Sequence, residues 1–160
     1  MAIWFTSDHH FKHKNIIVYE KRPFYNVAEM DRVMKERWNE VVAPNDTVYY
    51  VGDLIFGKPP DLLDLAPKLN GQKILIRGNH DRGPDVFRRA GFIDVVDKLT
   101  VDIDGTPVLV CHYPYKPKAG EENPEVMLKY MERRPDNKGQ WLIHGHVHGT
   151  WKFKDKMICV

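Results

Sequence analysis

The chain has 160 residues, of which 42% are hydrophobic and 29% charged, and its formal net charge is +2 at pH 7. The length suits one domain spanning residues 1–160 with its own core, and the weak charge does not indicate the concentrated basic face of a nucleic-acid-binding protein. Two cysteines cannot build a disulfide framework, and no apolar run is long enough for a signal peptide or a membrane span. We therefore expect a cytoplasmic protein.

The first half of the chain alternates predicted strands with predicted helices. In chain order they are a strand at Ala2–Thr6, a helix from Val27 to Val42, a strand at Thr47–Val51, a helix at Pro60–Leu69, a strand at Lys73–Ile76 and a helix at Pro84–Ala90. The strands are short and almost continuously apolar, which is typical of strands buried on both faces. Asn26 is placed to cap the first helix, Pro67 to disturb the second and Gly91 to end the third.

The second half is richer in strands. It has predicted strands at Asp94–Val96, Leu99–Ile103, Val108–Cys111 and Gln140–Ile143, and a predicted helix at Pro124–Arg133. Asp104-Gly105 is a hairpin signal between two of these strands. Early alternation followed by antiparallel strands predicts an α/β fold with a mixed sheet or two packed sheets. In such folds, ligands bind beyond the carboxyl ends of the strands.

Five of the predicted strands end in residues that commonly bind metals. The strand-end motifs are Asp8-His9-His10, Gly52-Asp53, Gly78-Asn79-His80-Asp81, His112 and His144-Gly145-His146-Val147-His148, and all eight histidines fall in or just after them. Taken alone, Gly52-Asp53 also fits an ordinary turn and His112 a core histidine. Residues two apart share a face of extended backbone, so His146 and His148 are expected to point the same way.

Seven candidate ligands result when the motifs are considered together. They are Asp8, His10, Asp53, Asn79, His112, His146 and His148. This number exceeds the need of one tetrahedral ion, and a closed cysteine set typical of structural zinc is absent. Carboxylate, amide and imidazole ligands favour two divalent ions, most readily Mn²⁺, with Fe or Zn²⁺ as alternatives. Two such cations about 3.5–4 Å apart form a clamp for phosphoryl transfer.

The ordered set D-x-H, G-D, G-N-H-D, H and G-H-x-H resembles the calcineurin-like metallophosphoesterase superfamily. The opening Thr6–Ile17 is similar to the small single-domain phosphoesterases of bacteria and phages. The resemblance implies a four-layer α-β-β-α sandwich with two packed mixed β-sheets and a metal site at the carboxyl ends of the strands.

The resemblance also implies a role for each site residue. One metal would be held by Asp8, His10 and His148, the other by Asn79, His112 and His146, and Asp53 would bridge them. His80 would not bind metal but would face the phosphate, where it would stabilise the transition state or protonate the leaving oxygen, with Asp81 orienting it. His144 would have a supporting or structural role.

The expected reaction is hydrolysis of a phosphodiester, such as a nucleotide or cyclic nucleotide, by a hydroxide bridging the two metals. Tyr113, Tyr115 and the basic residues up to Lys138 either form a substrate rim or a solvated face, and Arg77 either contacts phosphate or pairs with an acid. A nuclease acting on DNA or RNA is not favoured, because the lysines are scattered. A non-catalytic metal-binding interaction module is not favoured either, because the ligands and the Asn79-His80 pair are intact.

Overall fold

Two β-sheets and four α-helices make up the regular structure of residues 1–81, 83–118 and 129–160, which the computed structural model describes. The elements are β1 (Ile3–Thr6), α1 (Ile16–Tyr19), α2 (Val27–Val41), β2 (Thr47–Tyr50), α3 (Pro59–Leu65), β3 (Gln72–Ile76), α4 (Pro84–Arg89), β4 (Asp94–Val96), β5 (Lys98–Ile103), β6 (Thr106–Cys111), β7 (Trp141–His144), β8 (Phe153–Lys154) and β9 (Met157–Cys159). Short 3-10 helices follow α3 at Ala66–Lys68 and precede β7 at Met131–Arg133.

The first sheet has the order β1-β2-β3-β4, and all of its strand pairs are parallel. The expectation that both sheets are mixed is therefore wrong for this one. Each connection between its strands contains a helix, and a helical crossover returns the chain in the same direction. Side chains from α2, α3 and α4, including Trp38, Leu62 and Phe87, pack with Tyr50 and Leu75 of the sheet in one buried cluster.

The second sheet has the order β5-β6-β7-β9-β8 and is mixed, as predicted. The β5–β6 and β8–β9 pairs are antiparallel, while β6–β7 and β7–β9 are parallel. Asp104 (φ 49°) and Gly105 (φ 79°) both have left-handed backbone at the β5–β6 turn, which is the requirement of a type I′ hairpin. The predicted hairpin is therefore confirmed.

A second apolar cluster lies between the two sheets. It joins Val51 and Ile76 of the first sheet's strand ends to Val108, Val110 and Ile143 of the second sheet. The successive packing of helices, first sheet and second sheet confirms the α/β class with two packed sheets and accounts for three of the expected layers.

The outer face of the second sheet has its own apolar cover. Cys111, Tyr113, Tyr115 and Leu142 are buried there, and Tyr130 packs against them. The helix predicted at Pro124–Arg133 falls partly on residues 124–128, which lie outside the described residues. Its described end contains the 3-10 helix Met131–Arg133.

Local sequence signals account for the helix boundaries. The Asn26 side chain accepts a hydrogen bond from the Glu29 backbone N–H at 2.9 Å, which confirms the predicted N-cap of α2. The α3 helix gives way to 3-10 geometry at Pro67, as predicted. The short elements α1 and β8 were not predicted, since four and two residues are too few for a periodic signal. No helix in the described part of the chain is long and apolar enough to cross a membrane.

Candidate metal centre

The strand-end motifs of both sheets meet in one cluster of buried polar side chains. Three overlapping groups have ligand atoms within 4.8 Å of one another: Asp8 with His10 and His148, His10 with Asp53 and His80, and Asp8 with Asp53 and His112. Because the groups share members, they form one continuous site. It lies beyond the carboxyl ends of the strands, where the sequence placed it.

One half of the cluster is built from the strand-end motifs that follow β1 and β7. Asp8 Oδ1 lies 3.3 Å from His148 Nε2 and 3.7 Å from His10 Nε2. The two imidazole Nε2 atoms are 3.2 Å apart. These three side chains therefore aim one oxygen and two nitrogens at a common point, as predicted for the first metal.

The other half is built from the strand-end motifs that follow β3, β6 and β7. The His112 ring is fully buried, and its Nδ1 lies 2.8 Å from the Val51 carbonyl oxygen. Since that nitrogen must donate to the carbonyl, the Nε2 atom keeps a lone pair for a ligand. The His112 and His146 ring centroids are 5.2 Å apart. His112 Nε2 faces Asp53 Oδ2 at 3.5 Å.

Asp53 lies between the two halves. The same carboxylate oxygen, Oδ2, is 3.9 Å from His10 Nε2 and 3.5 Å from His112 Nε2. The other oxygen, Oδ1, accepts a hydrogen bond from the His80 backbone N–H at 2.9 Å. One oxygen is therefore fixed by the protein, and the other faces ligand atoms from both sides.

Five of the seven candidate ligands have left-handed backbone. Their φ angles are 54° at Asp8, 53° at His10, 60° at Asp53, 72° at His146 and 48° at His148. The expectation that His146 and His148 lie on extended backbone and point the same way is therefore wrong, and the backbone at Asp8 and His10 is not extended either. Left-handed backbone at a non-glycine residue has an energetic cost and is concentrated at functional sites. It turns His146 towards His112 and His148 towards Asp8.

Glycines allow the ligands to come this close to the backbone. A Cβ atom at Gly78 would overlap Asp53 Oδ1, and one at Gly145 would overlap Asp8 Oδ2. A Cβ at Gly52 would overlap the His112 ring. Each glycine of the motifs therefore makes room for a ligand from a different motif.

Several residues outside the motifs hold the Asp8 loop in place. Arg22 donates through its two terminal nitrogens to the backbone carbonyls of Asp8 (2.7 Å) and His9 (2.6 Å). Ser7 Oγ donates a short hydrogen bond to Asp8 Oδ2, and the same oxygen accepts from the His146 backbone N–H. Sequence reasoning missed Arg22 and Ser7, because neither is a metal-binding residue type at a recognisable spacing.

Glu20 is a further residue that the sequence did not reveal. It follows α1, and its Oε1 lies 2.8 Å from Nδ1 of His148. A carboxylate at the far nitrogen of a ligating histidine fixes the ring orientation and makes the ring a stronger ligand. Glu20 is thus placed to position His148.

Asp81 is buried beneath Asp53. Its Oδ2 accepts from the backbone N–H groups of Asp53 (2.7 Å) and Gly78 (2.8 Å), and its Oδ1 accepts from Leu54 (3.1 Å). These hydrogen bonds connect the motif that follows β2 to the motif that follows β3. The orientation of the His80 ring by Asp81 stays a prediction, while positioning of the Asp53 loop is an additional function that the structure assigns to it.

His80 lies beside the cluster and is partly open to solvent. Its side chain is 34% exposed, and its Nε2 is 3.9 Å from Asp53 Oδ2. The Phe56 and His10 rings contact it edge-on, with centroids 5.3 Å and 5.4 Å away. The His80 side chain therefore lies next to the predicted ligands, within reach of a phosphate group bound there.

Three other residues that the sequence singled out make contacts within the protein. The buried His144 ring packs on Trp151, and its Nδ1 lies 2.7 Å from the Gly145 carbonyl oxygen. Tyr115 is buried in the outer apolar cluster, so the suggestion that it belongs to a substrate rim is wrong. Arg77 pairs with Asp97 through two nitrogens, which favours the second of its two interpretations.

Burial and charge shift the pKa values of the cluster in opposite directions. Burial alone would raise the pKa of Asp8, but the adjacent imidazoles of His10 and His148 and the charge of His112 hold it well below its usual value. Burial likewise lowers the pKa of His148, yet Asp8 and Glu20 outweigh it and raise that pKa to about 9. His146 lacks a carboxylate contact of this kind, so burial and the charge of His112 lower its pKa to about 3.

Unsatisfied acceptor atoms show that the residues fit metal ions. Four buried atoms, Asp8 Oδ1, Asn79 Oδ1, His112 Nε2 and His146 Nε2, have no hydrogen-bond partner in the described part of the chain. An unsatisfied buried polar group costs about 1–3 kcal/mol, and each of these four atoms has a lone pair that a cation can accept. Divalent cations bind carboxylate and amide oxygens and imidazole nitrogens of this kind.

Comparisons with known proteins agree with this geometry. A model of the calcineurin-like phosphoesterase superfamily domain matches residues 1–160. An uncharacterized protein of Methanocaldococcus jannaschii is 36% identical over 150 residues, which cover 92% of this chain and 70% of that protein. The gene 66 protein of Mycobacterium phage D29 is 33% identical over 163 aligned residues, with 91% and 78% covered.

A solved structure extends the likeness to the fold. A protein of unknown function from Aquifex aeolicus matches with a TM-score of 0.68 and 27% identity, over 91% of this chain and 78% of that one. The metal-ligand cluster, the paired sheets and the match along the whole chain lead to one conclusion. The chain belongs to the calcineurin-like phosphoesterase superfamily.

Proposed function

We propose that the protein hydrolyses a small phosphodiester at a centre of two divalent metal ions. The observation that carries the proposal is the set of four buried, unsatisfied acceptor atoms contributed by Asp8, Asn79, His112 and His146. They come from four separate strand ends. Buried polar groups normally have hydrogen-bond partners, so unpaired acceptors on four of the predicted ligands support the binding of cations.

The proposal assigns the ligands to two ions. Asp8, His10 and His148 would hold one, and Asn79, His112 and His146 the other. Asp53 would be shared, which is supported by the position of its Oδ2 between His10 Nε2 and His112 Nε2. The mixture of oxygen and imidazole ligands favours Mn²⁺, with Fe or Zn²⁺ as alternatives.

Bound divalent ions would supply Lewis acidity at the phosphate oxygens and lower the pKa of water from about 15.7 towards 7. The protein's own groups complete the reaction. Asp81 and the His80 backbone N–H hold Asp53 in place through the loop hydrogen bonds. The His80 side chain borders the cluster and is placed to give a proton to the leaving oxygen, a function that contributes about 10²–10⁴-fold to rate.

Two cavities support a diester rather than a monoester. A cavity of about 360 Å³ is lined in part by His80, and a separate cavity of about 740 Å³ is lined in part by Asn79. The larger one is lined by Arg77, Lys98, Tyr113 and Arg133 among others. A phosphodiester carries a substituent on each side of phosphorus, and both substituents would find room.

The distribution of charge favours a small substrate over nucleic acid. Several exposed basic side chains in the described part of the chain are paired with acids, namely Arg32 with Glu36, Lys68 with Asp64, Arg88 with Asp85 and Lys116 with Asp136, and the formal net charge of the chain is only +2. A nucleic-acid groove instead requires basic groups free to contact successive phosphates. We therefore propose a nucleotide or cyclic nucleotide as the substrate class.

The test is a hydrolysis assay with Mn²⁺ on bis-p-nitrophenyl phosphate and p-nitrophenyl phosphate, followed by 2′,3′- and 3′,5′-cyclic nucleotides. We expect metal-dependent turnover with a higher kcat/KM for the diester. The variant Asp53→Asn should lose turnover of both. Absence of turnover with Mn²⁺, Fe²⁺ and Zn²⁺ would contradict the enzyme proposal, and a preference for the monoester would contradict the diester assignment.

A further inference from the structure

We propose that the cavity beside His80 binds an aromatic ring of the substrate, namely the group attached to the oxygen that leaves phosphorus. The inference rests on the proposed phosphoesterase function and specifies its substrate. The cavity walls, their rigidity, their charge and their link to the metal ligands each support it.

The cavity has the size and walls of a site for one ring. Its volume is about 360 Å³, and its lining includes Ile55, Phe56, Leu62, Val86 and Phe87. Small-molecule pockets span about 300–1,000 Å³ and are lined mainly by apolar side chains. This cavity is at the lower end of that range, so it suits a single ring rather than a polymer.

The walls are fixed by the fold. Ile55, Leu62 and Phe87 are at most 7% exposed and belong to the core beneath the first sheet. The segment that carries Phe56 is bonded to the strand-like extension at Phe11, which donates to Leu54 O at 2.9 Å and accepts from Phe56 N at 2.8 Å. A preformed cavity of this kind binds a ring without the entropic cost of ordering a loop.

The charge of the lining excludes a strongly polar occupant. Among the described residues that line the cavity, only His80 and Lys58 have ionisable side chains. A second phosphate placed there would lose its hydration without enough compensating partners. An aromatic ring buries a large apolar area and makes favourable edge or face contacts with other rings.

Phe56 and His80 link the cavity to the reacting centre. Phe56 is 52% exposed, stacks on His13 with a centroid distance of 4.4 Å, and meets the His80 ring edge-on at 5.3 Å. His80 itself lines the cavity, and its Nε2 is 3.9 Å from Asp53 Oδ2. If His80 protonates the leaving oxygen, the substituent on that oxygen lies on the His80 side, which is the side of this cavity.

The test compares phenylphosphonate with methylphosphonate, two probes that share the phosphonate group and are not hydrolysed. Their affinities for the Mn²⁺-loaded protein are measured by titration calorimetry. We expect phenylphosphonate to bind about 10- to 100-fold more tightly, since a buried ring contributes this much relative to a methyl group. The preference should fall towards unity in Phe56→Ala, which removes a wall, and in Val86→Phe, which fills the cavity.

The matched control is Tyr25→Ala, because Tyr25 is an exposed aromatic residue at 97% and does not line the cavity. It should keep the preference of the wild type. Methylphosphonate binding in each variant shows that the metal centre is still folded. Equal affinity of the two probes in wild type, or an unchanged preference in both cavity variants, would overturn the inference.

The same protein is assayed separately with bis-p-nitrophenyl phosphate. Turnover of this diester without a phenylphosphonate preference overturns the cavity assignment and leaves the proposed function standing. A phenylphosphonate preference without turnover supports the ring site and contradicts the proposed reaction. Absence of both turnover and phosphonate binding overturns the two proposals together.

Discussion

Oε1 of Glu20 lies 2.8 Å from Nδ1 of His148, although 128 residues separate the two in the chain. The contact leaves His148 Nε2 facing Asp8 Oδ1 at 3.3 Å. It therefore sets which nitrogen of the ring is available to a metal and strengthens that nitrogen as a ligand. The residue after α1 and the last metal motif of the chain act as one unit.

Replacing Glu20 should weaken metal binding. Loss of a carboxylate behind a ligating histidine typically costs 10- to 100-fold in affinity, so we expect Glu20→Ala to lower Mn²⁺ affinity within about that range. Competition with a fluorescent chelator measures it. Glu40→Ala, on the exposed surface of α2, serves as control. Equal affinity in both variants would show that Glu20 does not position His148.

Removing the His80 side chain should separate catalysis from metal content. The His80 contact with Asp53 Oδ1 comes from its backbone N–H, which His80→Ala retains. We expect kcat for bis-p-nitrophenyl phosphate to fall by about 10²–10⁴-fold while elemental analysis finds the metal stoichiometry of the wild type. An unchanged kcat would remove His80 from the reaction.

Replacing a glycine that lies close to a candidate ligand should disturb the metal centre, whereas replacing a nearby glycine in open space should not. A Cβ at Gly145 would overlap Asp8 Oδ2 and Ser7, whereas one at Gly149 meets no atom within 4 Å. Gly145→Ala should therefore displace Asp8, reduce metal affinity and lower the melting temperature, and Gly149→Ala should leave both close to wild type. Calorimetry of metal binding and of unfolding checks the two variants. Similar behaviour of both would contradict the close approach at Gly145.

Buried histidines should make the metal-free protein sensitive to acid. Burial lowers the pKa to about 4 for His9 and His144 and to about 3 for His146. The unfolded chain protonates them near pH 6.5, so between pH 6.5 and 4 it binds more protons than the folded protein. The free energy of unfolding should therefore fall as the pH falls. Asp81 and Asp31 oppose this trend, because burial raises the pKa of both carboxyls.

His148 has the opposite effect above this range. Its pKa is raised to about 9, so its contribution to stability is complete below pH 6.5 and is lost as the pH rises towards 9. Stability of the metal-free protein should peak near pH 6.5. Urea unfolding in EDTA at pH 4.5, 6.5 and 8.5 measures this, and His144→Gln should reduce the loss on the acid side. A stability that increases from pH 6.5 to 4.5 would contradict the account.

The convergence of the candidate ligands could be predicted from the sequence, because their residue types and their positions at strand ends carry the signal. Asp53, His112 and the other candidates each follow a short apolar strand, and parallel strands bring such ends to one edge. The N-cap at Asn26 and the turn at Asp104-Gly105 were also readable, since both depend on local backbone requirements.

Other features depend on contacts between distant residues and have no local signature. The residues Asp8-His9-His10 do not by themselves predict left-handed backbone at Asp8. This conformation is accompanied by a hydrogen bond from the distant Arg22 to the Asp8 carbonyl oxygen. The pairing of Glu20 with His148 likewise exists only once both sheets have formed. The extended-backbone interpretation was wrong for this reason, although most of the side chains that it singled out do lie close together.

Anomalous diffraction at the manganese edge, from crystals grown with Mn²⁺, is the decisive measurement for the dinuclear centre. We expect two peaks, one on either side of Asp53. One should contact Asp8, His10 and His148, and the other Asn79, His112 and His146. A single peak, or two peaks that do not share Asp53, would contradict the dinuclear centre.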